Sequence, residues 1–256
     1  MRSAEIVKAF FAPSEVGFAA SWLQLDKMSC CGNAEVWLFD PAAEGVFNVR
    51  AAAKLLQRHD RVPAIAYVRP TPEYLRACLQ LARSGLDDVA VAGVDDEALR
   101  ELARHCIARQ TAFRVLGAWA PALGQLTPRI RPTIEDMIER PHRYITVSDI
   151  GEASGLTDKQ VVRAFANTAL GTPKKFLALT KLLWGYGYLR TGSVSVTAIS
   201  SSLGYETRAL FTNAARAVLG LPPSLLRAST NAQEILMSAS EWLAKPKPMT
   251  PTSDPN

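Results

Sequence analysis

The sequence predicts two architectures in one chain: an α/β unit on a parallel sheet, followed by an all-α unit. Three observations predict this. Across residues 35–110, short apolar runs alternate with amphipathic helical stretches, the pattern of βαβ units. From 131 to 227 there is no convincing strand run, and glycine and proline break the chain into helices. The excess of positive charge also lies in one region: residues 1–124 carry 14 basic and 14 acidic side chains, whereas 125–228 carry 13 and 7.

The elements follow in order. Ile6–Ala12 reads as a strand and residues 14–24 as a helix. Glu35–Asp40 (EVWLFD) is strand-like, and Val49–His59 is a helix with Ala52, Leu55 and Leu56 on one face. Val62–Val68 is a second strand run, followed by a helix over Thr71–Ser84 that places Leu75, Leu79 and Ala82 at helical spacing. Asp88–Ala92 is the third strand run, and Asp95–Arg109 a helix bearing Leu99, Leu102 and Ile107. Gly117, Pro121, Gly124, Pro128 and Pro132 then punctuate a stretch that reads as a linker. The expected domains are 1–115 (α/β), 116–130 (linker), 131–228 (all-α) and a partly disordered tail, 229–256, with four prolines at its end.

Composition removes several classes. Four cysteines in 256 residues are too few for a stapled secreted scaffold. No apolar run approaches the ~18 residues of a membrane span. Glu5, Lys8 and Glu15 interrupt the N-terminus, so it does not read as a signal peptide. A cytoplasmic protein is expected, with no membrane partner. No GxSxG, GxxxxGK or GxGxxG run occurs, so no enzymatic activity and no cofactor is expected. His59, His105 and His142 are scattered without ligand spacing, and Cys30-Cys31 reads as two ordinary reduced thiols, so no metal is expected either.

The helical half repeats itself. Ile150-x4-Gly155 is followed by Val161 six residues after the glycine, and Ile199-x4-Gly204 by Leu210 at the same offset. Each unit fits a helix, a turn at glycine and a second helix. Thr146 with Asp149, and Thr157 with Gln160, match the capping-box pattern; Ser195 can cap the second unit's first helix. Pro173–Arg190 lies between the units as one helix of about 27 Å, a strut able to hold two reading heads on successive major-groove faces ~34 Å apart. Gly185 and Gly187 each weaken that helix by roughly 1 kcal/mol relative to alanine.

These residues resemble the DNA-binding domain of the AraC/XylS family of bacterial transcription regulators. Thr146–Thr157 (TVSDIGEASGLT) resembles the family's first helix and turn, and Arg163-x-Phe165 with Pro173 eight residues on has its spacing. Ile199, Gly204-Tyr205, Phe211, Gly220, Pro223 and Arg227 fall in register. The chain departs at Leu170, where the family has glycine and Gly171 follows, and at Ala215, commonly aromatic, which suggests looser packing there. The N-terminal half resembles a degenerate receiver (flavodoxin-like) domain. Asp40 stands where receivers carry the phosphorylated aspartate, but the acidic pair, hydroxyl and lysine are replaced by Phe10–Ala12, Arg69 and Gly93; Asp40-Pro41 reads instead as a strand end and turn.

The resemblance implies sequence-specific binding of double-stranded DNA, with RNA polymerase as a further partner and a homodimer open. The second helix of each unit would read DNA: Thr157, Lys159, Gln160 and Arg163 in the first, Arg208, Ala209, Thr212, Asn213 and Arg216 in the second. Arg and Lys suit guanine edges and Gln suits adenine; Ala209 offers only apolar contact. Lys174, Lys175 and Lys181 are expected at phosphates. The alternative is a protein-interaction module whose DNA-binding half is vestigial.

Overall fold

A computed structural model describes residues 17–30, 34–192, 194–228 and 231–245. The chain divides into two compact units, Met1–Gln110 and Thr111–Asn256.

The first unit is α/β. Its described helices and strands are α1 (Trp22–Cys30), β1 (Trp37–Phe39), α2 (Val49–Arg58), β2 (Ala64–Val68), α3 (Pro72–Ala82), β3 (Asp88–Val91) and the start of α4 (Leu99–Leu116). The strands form one parallel sheet in the order β1-β2-β3, with Trp37 opposite Ala64 and Ile65 opposite Asp88. Successive strand side chains point to opposite faces, and the two cores obey that rule. Trp37, Phe39, Ala64, Ala66 and Val68 join Trp22, Ala52, Leu55, Leu56, Tyr74 and Leu81 on one face; Ile65 and Ala90 join Leu99, Ala103 and Cys106 on the other, with Leu38 and Tyr67 at its edge. The proposed strand Ile6–Ala12 lies outside the described residues. The helix expected at 14–24 is observed at Trp22–Cys30.

Helix α3 turns a different face inward from the one its leucines suggest. Tyr74, Ala77, Cys78 and Leu81 are buried, whereas Leu75 and Leu79 are 62% and 64% exposed. Two apolar stripes overlap on this helix. The Tyr74 hydroxyl donates to Asp40 Oδ2 at 3.2 Å and its ring packs edge-on against Phe47, which selects the tyrosine stripe. Asp40 otherwise acts as a turn residue: its Oδ1 accepts from the Ala42 N–H at 2.7 Å.

The second unit is helical throughout its described residues. The expected linker is ordered instead: a 3-10 turn (Gly117–Trp119) runs into α5 (Ala120–Gly124), and Trp119, Ala122, Leu126 and Ile130 are buried. Pro121 sits in the first turn of α5, where its missing N–H costs nothing. There follow α6 (Arg131–Glu139), α7 (Val147–Ser154), α8 (Asp158–Phe165), α9 (Pro173–Arg190), α10 (Val196–Ser202), α11 (Arg208–Leu219), α12 (Pro223–Ala228) and α13 (Ala232–Ala244). Within the stretch expected as a tail, α13 forms a helix whose Ile235, Ala239 and Leu243 are buried at a spacing of about one helical turn, and the disorder expected from residue 245 on lies, beyond Lys245, outside the described residues. Asn231 caps that helix, accepting from the Gln233 and Glu234 N–H groups.

Helix α9 is the centre of this unit. It spans the eighteen residues expected and buries most of them, Lys181 among the apolar ones. Its glycines do not interrupt it. A Cβ at Gly185 would lie 2.8 Å from the Phe211 ring and 3.2 Å from Leu203, so glycine is what lets α10 and α11 approach α9.

Candidate nucleic-acid interface

Two helix pairs, α7–α8 and α10–α11, are built on the same backbone plan. Each turn carries a glycine in the left-handed region, Gly155 at φ 65° and Gly204 at φ 75°. Each closes with the same two bonds: Gly155 N–H to Glu152 O and Leu156 N–H to Gly151 O; Gly204 N–H to Ser201 O and Tyr205 N–H to Ser200 O. The first helices are capped by Thr146 and Ser195, the second by Thr157 and Thr207, each side chain accepting from the N–H three residues on.

The pairs differ after the glycine. One residue, Leu156, separates Gly155 from its capping threonine, but two, Tyr205 and Glu206, separate Gly204 from Thr207. The register of the second pair therefore slips by one. Leu210 does not match Val161: Val161 is buried, whereas Leu210 is 49% exposed and Phe211 takes the buried place. Ala215 then corresponds to Phe165 and is fully buried, so the packing is not loose. The aromatic has moved one helical turn, from the second buried position to the first. Phe165 meets Phe176 on α9, with ring centroids 6.1 Å apart. Phe211 meets Tyr205 at 5.3 Å and the bare backbone of Gly185. Phe176 and Gly185 lie nine residues apart, about 13 Å along the strut.

The expected contact residues fall into three groups. Lys159 and Arg163 on α8, Lys174 at the start of α9, and Arg208, Ala209, Asn213 and Arg216 on α11 are exposed; Thr212 is half-buried. Among the described residues, no carboxylate lies in ion-pair reach of Lys159, Arg163, Lys174, Arg208 or Arg216. Thr157 and Gln160 form the second group. Both are exposed but bound to each other, with the Thr157 N–H donating to Gln160 Oε1 at 2.9 Å in a complete capping box. That bond aims the Gln160 amide at its own helix start.

Lys175 and Lys181 form the third group and depart from the phosphate role. The Lys175 ammonium donates to the carbonyls of Trp242 (2.8 Å) and Lys245 (2.5 Å) and sits over the Trp242 ring, 5.1 Å from its centroid. It closes the exposed C-terminus of α13, a favourable place for a cation. Lys181 is buried in α9. Burial holds its ammonium below the usual lysine range, with Asp149 pulling the other way, and its Nζ lies beside the Gly204 turn. Lys181 thus faces Asp149 of one pair and the turn of the other. Sequence reading missed this, because only the burial of α9 on nearly all sides turns a lysine inward.

Backbone-capping arginines complete the frame. Arg129 donates to Gly155 O at 2.6 Å, Arg131 to Gly124 O and Leu126 O, and Arg227 to Val194 O at 2.8 Å and to Gly192 O. No protein-family model and no curated protein matches this chain. No helix among the described residues is long and apolar enough to cross a membrane.

Proposed function

We propose that the second unit binds duplex DNA in a sequence-dependent way, with α7–α8 and α10–α11 acting as two helix-turn-helix units of AraC/XylS type. The observation that carries this reading is the set of unpaired cations on two Thr-capped helices, Lys159 and Arg163 on one, Arg208 and Arg216 on the other. Other described arginines do meet carboxylates: Arg58 with Asp26, Arg109 with Asp87, Arg140 with Asp136. A helix that leaves its cations without carboxylates presents them to an external anion. Lys159 and Arg163, four residues apart, rise from one helix face and can reach base edges; Lys174 and the helix starts suit phosphates.

The reading extends to the rest of the chain. The first unit, read as a degenerate receiver, serves dimerisation or signal input rather than phosphotransfer or catalysis, and the protein works in the cytoplasm beside RNA polymerase. Fluorescence anisotropy with duplexes from the protein's own gene neighbourhood tests the DNA reading. Binding should weaken steeply with salt, and Arg163→Ala should cost about 1–3 kcal/mol on the preferred sequence. Binding indifferent to both sequence and salt would overturn it.

One observation favours a second reading for the second pair alone. Ala209 and Leu210 present a bare, apolar start to α11 where α8 presents Lys159 and Gln160. In that reading α11 docks on a protein, and Asn213→Ala leaves DNA affinity unchanged while Arg163→Ala does not.

A further inference from the structure

We propose that the first unit holds a divalent transition-metal site made by Asp26, Cys30 and His59. Asp26 and Cys30 stand four residues apart on α1, so their side chains leave one face a single turn apart. His59 caps the C-terminus of α2, which packs beside α1. One donor atom from each residue lies within 4.8 Å of the other two. A tetrahedral ion with bonds of about 2.0–2.3 Å keeps its donors about 3.3–3.8 Å apart, so closure asks for ~1 Å. The exposed Cys30 side chain can supply that by rotation.

The donor set selects the ion. A thiolate, an imidazole and a carboxylate suit Zn²⁺ or Co²⁺ and do not suit Mg²⁺ or Ca²⁺, which take oxygens. Three protein ligands leave a fourth position to water. The supporting groups are also in place. Arg58 donates to Asp26 Oδ2 at 2.7 Å, which leaves Oδ1 facing His59 Nε2 at 2.8 Å. The imidazole lies edge-on against the buried Trp37 ring, centroids 5.3 Å apart, which fixes its plane. Such outer contacts orient ligands and raise affinity. On binding, the Cys30 thiol releases its proton to solvent, the proton that His59 Nε2 shares with Asp26 Oδ1 moves to Nδ1 or to solvent so that Nε2 offers its lone pair, and the dication is balanced by two anionic ligands.

Titration of the full-length, metal-stripped protein with Co²⁺ tests the site without reference to DNA. One equivalent should bind with a thiolate-to-cobalt charge-transfer band and the visible bands of a tetrahedral ion, and Zn²⁺ should bleach both. Cys30→Ser should remove the charge-transfer band. His59→Gln and Asp26→Asn should weaken Co²⁺ by at least about tenfold, and Arg58→Ala by roughly tenfold, with far-ultraviolet dichroism confirming that each variant folds. Cys31→Ser should retain the band. Absence of the band at one equivalent overturns the proposal. So does a band that survives His59→Gln at full affinity, because that assigns the metal to the vicinal thiols alone.

Discussion

Helices α7–α8 bury Val161 and Phe165 where α10–α11 bury Phe211 and Ala215. One extra residue in the second turn makes the difference: the buried aromatic is kept at a shifted place, and its smaller buried companion is Ala215 where the first pair has Val161. The large ring sits late in α8 and early in α11. Its early position demands room at the strut, which Gly185 supplies. The outer faces diverge in the same register: Lys159, Gln160 and Arg163 on one, Ala209, Leu210 and Asn213 on the other. The comparison shows that a repeat can be preserved in its turns while its packing and its chemistry drift independently.

The largest expected effect tests whether the two cores are equivalent. Phe165→Ala and Phe211→Ala should each cost about 3–5 kcal/mol, read as loss of amide protection in α9. If Phe211→Ala costs less than about 1 kcal/mol, the second pair lacks the core described for it. Next in size is the glycine. Gly185→Ala should destabilise by about 1–3 kcal/mol through overpacking, despite a helix-propensity gain of up to ~1 kcal/mol. The same substitution placed in Phe211→Leu protein should be nearly neutral. No effect of Gly185→Ala in the parent would mean that the close approach is absent.

The caps give a smaller contrast. Thr157→Ala should cost about 1 kcal/mol, and Thr207→Ala less, because Leu210 returns no bond to its cap while Gln160 does. Gln160→Ala should bring the two costs together in thermal melts. The smallest effect is in the first-helix caps and depends on pH. The N–H groups of Thr146 and Ile145 hold the Asp149 carboxyl below its ordinary value. Its contribution is therefore complete above the ordinary carboxylate value of about 4 and drains as pH falls through the lowered one. Asp149→Asn should flatten the acid limb of stability of α7 and leave α10 unchanged, since Ala198 occupies the matching place.

Much of this was legible because local rules decided it. The capping threonines, the glycine turns and the ends of the strut at Pro173 and Arg190 each follow from one short stretch of sequence. The alternation of the strands was equally local. Features fixed by a choice between equal options were not legible. Helix α3 carries two apolar stripes, and only the Tyr74–Asp40 and Tyr74–Phe47 contacts choose between them. Gly117 and Pro121 read as linker residues, yet Trp119 and Leu126 find burial that order the segment. The one-residue slip of α11 was hidden because Leu210 and Phe211 are both apolar. Asp26 and Cys30 had a visible helical spacing, but the arrival of His59 depends on how α2 meets α1.

The terminal helix changes where this protein can be cut. Leu243 lies against Gly171, where an added Cβ would sit 3.1 Å from its carbonyl, and Lys175 latches the end of α13 to the beginning of the strut. A fragment trimmed to 131–228 would bare that groove, strip Lys175 of its acceptors and leave a sticky, aggregation-prone cleft at the start of α9. A fragment spanning 111–245 keeps the latch shut.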